Sequence, residues 1–97
     1  MYRQGDVLVT RIDKLPRGLQ KAPTCVLALG EVTGHMHQIK EGAFMYVDEK
    51  GDKYVEVFDE TADLVHEEHG TITLDRGVYK VTQQREYTPE EIRRVAD

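Results

Sequence analysis

Apolar residues in this chain recur at every second position, in short runs separated by turn-forming clusters, and that spacing commits it to β-structure. From Ala43 to Asp48, Phe44 and Tyr46 alternate with Met45 and Val47. Glu49-Lys50-Gly51-Asp52 is a strong turn signal. From Lys53 to Asp59, Val55 and Val57 face one way, and Tyr54, Glu56 and Phe58 the other. The two runs predict a hairpin.

The same reading covers most of the chain. Gly5 to Asp13 is a strand, with Val7 and Val9 alternating with Leu8, Thr10 and Ile12. Pro16, Gly18 and Pro23 mark a loop. Thr24 to Leu29 is a continuous apolar run, as in a strand buried on both faces. His35 to Ile39 continues as a strand beyond Gly30 and Gly34. Thr61 to Asp63 reads as a turn or a short helical piece. Thr71–Asp75 and Val78–Thr82 alternate on either side of Asp75-Arg76-Gly77, which predicts a second hairpin. The tail changes period. Thr88 is an N-cap, Pro89 the first helical position and Glu91 the capping-box partner, while Tyr87 and Ile92 form a hydrophobic staple. A short helix is expected over 89–96. Together these make a mainly β, single domain over 1–97, a small barrel or sandwich of six to seven strands with one C-terminal α-helix.

Ninety-seven residues, 39% hydrophobic and 32% charged, suit one modest core. No run approaches the ~18 apolar residues of a membrane span, and Met1–Asp6 has no signal-peptide pattern. Cys25, the one cysteine, fits as a small buried hydrophobe, and a reducing cytoplasm is the expected compartment. The net charge of -5 argues against nucleic acid as a partner. Arg85, Arg93 and Arg94 do not reverse this, because Glu86, Glu90 and Glu91 interleave with them. Self-association is left open, as is a small-molecule or protein partner.

All four histidines fall in two short clusters, His35-Met36-His37 and His66-Glu67-Glu68-His69. Imidazole is the commonest side-chain metal ligand, and two such pairs brought together could hold one ion. Strand residues two apart share a face, so His35 and His37 can aim at one point. His66 and His69 converge only if Glu67-Glu68 bends. The expected ligands are His35, His37, His66 and His69, and the expected cofactor is a divalent transition metal. Zinc comes first, with nickel, iron, manganese and copper also suited. Glu31, Glu41, Asp63, Glu67 and Glu68 are available as ligands, as partners for an imidazole N–H or as bases. Glu31 and Glu68 are the candidates for catalytic proton transfer. The bland reading is a solvated His-x-His face and a charged loop. Tyr79 and Tyr87 are read as packing residues. There is no serine for a nucleophilic triad and no glycine loop for phosphate.

Gly30, His35, His37 and Glu41 resemble the first motif of the cupin superfamily, a glycine followed by His-x-His and a glutamate. Cupins are small metal-holding β-barrels. The resemblance implies His35, His37 and Glu41 as ligands, with His66 or His69 as the fourth. The gap from Gly30 to His35 is shorter than in that motif, and the second cupin motif is absent. The segments Gly-Glu-Val-Thr-Gly-His-x-His and Gln-Arg-Glu-Tyr are also similar to those of short uncharacterised bacterial and phage-type proteins, which implies no activity.

Three functions follow. A small metalloenzyme would keep an open position on the ion, where water is acidified or a substrate polarised in hydrolytic or cupin-like chemistry. A structural or interaction module would close the shell with four imidazoles. A metal-dependent nucleic-acid enzyme or adaptor ranks last on charge.

Overall fold

The computed structural model describes residues 1–29 and 35–83. Its eight strands are β1 (Tyr2–Gln4), β2 (Val7–Ile12), β3 (Gln20–Lys21), β4 (Val26–Leu29), β5 (Met36–Ile39), β6 (Ala43–Val47), β7 (Lys53–Val65) and β8 (Ile72–Gln83). All pairings are antiparallel. They form one sheet in the order β1-β2-β8-β7-β5-β4, with β6 also on β7 and β3 beyond β6. The sheet curls into a half-barrel.

The period-two runs bury one face. Val7 and Val9 of β2, Leu27 and Ala28 of β4, Ile39 of β5, Met45 of β6, Val55, Val57 and Leu64 of β7, and Leu74 and Tyr79 of β8 fill the concave side. The predicted hairpin at Glu49–Asp52 is present, with Asp48 Oδ1 accepting from Lys50 N and Asp52 N. Cys25 is buried, and burial pushes its thiol up to about 11. Lys53 Nζ donates to Leu27 O at 2.9 Å, which covers part of the open edge of β4.

Several expectations are corrected. The first strand is preceded by another, because Gly5-Asp6 is a two-residue turn joining β1 to β2. Thr61–Asp63 is neither turn nor helix, but part of the 13-residue β7. Asp75-Arg76-Gly77 does not reverse the chain, so no second hairpin forms there; β8 runs through it for 12 residues. These residues instead face a bulge in β7. Val57 pairs with Gly77 and Thr61 with Asp75, leaving Phe58, Asp59 and Glu60 opposite Arg76. Gly42 O accepts from the bulge amides of Phe58 and Asp59. The described residues hold eight strands, two of them, β1 and β3, only two or three residues long. The expected helix over 89–96 lies outside the described residues. No helix among them is long and apolar enough to cross a membrane.

Candidate metal centre

His35 directly precedes β5, and His37 lies on it. His66 and His69 sit in the loop between β7 and β8, which bends at 67–69. That bend brings the two clusters together. Ring centroids are 5.7 Å apart for His35–His66, 4.2 Å for His37–His66, 4.7 Å for His66–His69 and 6.0 Å for His37–His69.

The four rings are not equivalent. His35, His66 and Glu67 form a group in which one ligand atom from each lies within 4.8 Å of the others. Two imidazoles and a carboxylate are a common donor set for zinc and non-haem iron. Glu67 Oε1 accepts from Met36 N at 3.1 Å, which ties the loop to β5. Hydrogen bonds from its own backbone amide and that of Met36, with His35 and His66 nearby, hold the Glu67 carboxyl below its usual range. His66 Nδ1 accepts from Glu68 N at 2.9 Å, a bond that would give way to an ion taken by the same lone pair. Glu68 Oε2 lies 3.4 Å from His35 Nδ1.

His37 is 5% exposed, the most buried of the four. Its Nδ1 meets Gln4 Oε1 at 2.9 Å and its Nε2 faces Asp6 Oδ1 at 3.6 Å. Burial lowers its pKa, and the charges of His66 and His69 add to this against the opposing pull of Asp6 and Glu67. His69 is exposed and packs its Nε2 edge against Gly5. Beside His66 and Glu67 lies a cavity of about 200 Å³, also lined by Met36, Gln38, Lys40 and Val65.

Glu41, a ligand by the cupin resemblance, lines a different concavity with Lys40, Asp59, Thr61 and Asp63. No histidine lines it. Asp63 Oδ1 accepts from Thr73 Oγ1. Glu31 and Tyr87 lie outside the described residues. Tyr79 is buried, and its hydroxyl donates to Asp75 O. Sequence reasoning missed Gln4, Gly5 and Asp6 as parts of this site. Their signal was a Gly-Asp pair between two β-runs, a standard two-residue hairpin turn.

A family model described as a domain of unknown function, DUF8820, matches residues 3–84. The chain belongs to this family. The DUF8820 match takes in both histidine clusters, the first hairpin turn and the last residue of β8. Neither a curated protein nor a solved structure matches the chain.

Proposed function

We propose that this DUF8820 domain binds a divalent transition metal through His35, His66 and Glu67, with positions left open for a small ligand or substrate. The observation that carries the reading is the convergence of those three donors from segments 31 residues apart. The adjacent cavity favours a ligand-binding or catalytic centre over a closed structural shell. Zinc is the first candidate, and nickel, iron, manganese and copper follow on donor chemistry. Such an ion would supply Lewis acidity toward whatever occupies the open positions. Glu68, within 3.4 Å of His35 Nδ1, is the described carboxylate best placed to accept a proton or orient that ring. A reducing, cytoplasmic setting fits the free buried Cys25.

The test is metal content and affinity of purified protein, with cobalt substitution to read coordination number. The expected result is one ion per chain bound by the wild type, and binding weakened in His35→Ala, His66→Ala and Glu67→Gln. Retention of full affinity by all three variants would sink the proposal. A four-coordinate, all-imidazole cobalt spectrum would favour a metal-stabilised module without catalysis.

A further inference from the structure

The first hairpin turn touches the histidine cluster through three consecutive residues. Gln4 is 2% exposed, and its Nε2 donates to Leu64 O at 3.0 Å and to Gly70 O at 2.8 Å. Those two acceptors use both amide hydrogens, so the carboxamide oxygen is the end that meets His37 Nδ1. A carboxamide oxygen only accepts. His37 Nδ1 must therefore carry a hydrogen and donate it, which leaves Nε2 as the basic nitrogen of the neutral ring. That nitrogen faces Asp6 Oδ1 at 3.6 Å, while Asp6 Oδ2 accepts from Gln83 Nε2 at 2.9 Å. A ring lone pair and a carboxylate oxygen facing each other cannot hydrogen-bond directly. They make a seat for a cation. His66 lies against the same ring, with centroids 4.2 Å apart, so the seat adjoins the donors already described.

We infer that the β1–β2 turn supports the cation site from beside it: Gln4 is a positioning residue that fixes His37 as the Nδ1–H tautomer, and His37 Nε2 with Asp6 forms a donor pair next to the three-donor group that holds the ion. The donor role rests on the metal reading above, whereas the tautomer does not. Gln4 and Asp6 are more than 25 residues from any histidine in sequence, and only the hairpin turn carries them there.

The tautomer is read from long-range proton–nitrogen NMR spectra of uniformly labelled, metal-free protein at pH 8, with His37 assigned by comparison with His37→Ala. The expected wild-type signature is a protonated Nδ1 and a bare Nε2 on His37, lost in Gln4→Leu. Zinc affinity, measured against a competing chelator, should fall about ten- to a hundred-fold in Gln4→Leu and in Asp6→Asn. A wild-type His37 protonated on Nε2 overturns the inference, and so does an unchanged tautomer in folded Gln4→Leu. Wild-type zinc affinity in Asp6→Asn overturns the donor pair. If Gln4→Leu does not fold, the wild-type spectrum and Asp6→Asn still decide. If the wild type binds no divalent metal, the metal reading and the donor pair fall together, and the tautomer is judged by the spectra alone.

Discussion

Gly5 meets two constraints at once. Its φ is +61°, a region that costs a residue with a side chain about 1–2 kcal/mol. A Cβ there would also sit 2.6 Å from His69 Nε2. Gly5→Ala should therefore lower stability by about 1–2 kcal/mol and displace His69; an unchanged denaturation midpoint and unchanged His69 resonances would contradict this packing. Cys25 sets a pH dependence. Its folded-state pKa of about 11 lies above the ordinary 9.0, so the unfolded chain loses the thiol proton first as pH rises. The thiol's contribution is fully present below pH 9 and is lost between about 9 and 11. A shift of that size corresponds to at most about 2–3 kcal/mol. Tyr46 and Tyr79, both shifted upward chiefly by burial, act in the same direction at higher pH, so the comparison is with Cys25→Ala. That variant should lose less stability over pH 9–11 in urea titrations, and parallel curves would refute the assignment.

At the scale of elements, the β7–β8 pair governs the shape. Three residues, Phe58, Asp59 and Glu60, face the single Arg76, and the inward positions change parity across them. Val55 and Val57 point inward before the bulge, Ala62 and Leu64 after it; on β8 the inward side chains change from Leu74 to Tyr79 and Val81. Gly77 sits at the corner with φ 152°, and the Arg11 guanidinium lies where its Cβ would be. Arg11 Nη2 also donates to Arg76 O, and its guanidinium stands 5.5 Å from the Tyr79 ring centroid. Gly77→Ala should cost about 1–3 kcal/mol through backbone strain and displacement of Arg11. Hydrogen exchange offers a second reading of the same element. Amides of 54–57 and 79–81, in the middle of the sheet, should exchange far more slowly than those of the short edge strand β1. Uniform protection would mean that the bulged ladder is not the stable centre.

At the scale of the molecule, curvature assembles the site. Gln4 lies beside the Gln83 end of β8, since Val7 pairs with Gln83, yet its side chain bonds to Leu64 and Gly70 at the other end. Only a strongly curled sheet allows both. An ion bound only by this folded arrangement stabilises it, by about 2.7 kcal/mol at a hundred times its Kd. Zinc at that excess should raise the melting temperature by roughly 10 °C or more in a domain of this size, and Glu67→Gln should reduce the rise. No shift with zinc or any of the other candidate ions would remove the metal reading.

The sequence by itself determined the β-class, the Glu49–Asp52 hairpin, the buried Cys25 and the two histidine clusters, because period-two alternation and local turn residues act over a few positions. It also marked the bend that His66 and His69 need. It did not determine what Asp75-Arg76-Gly77 does: the same residues serve a tight turn or a strand corner, and continuous pairing of β8 with the bulged β7 selects the corner. Nor did it single out Glu67, or reach Gln4 and Asp6. Which carboxylate meets the imidazoles depends on contacts across 31 residues, and which nitrogen of His37 keeps its proton on contacts across 33 to 66. Those contacts exist only once the sheet has curled.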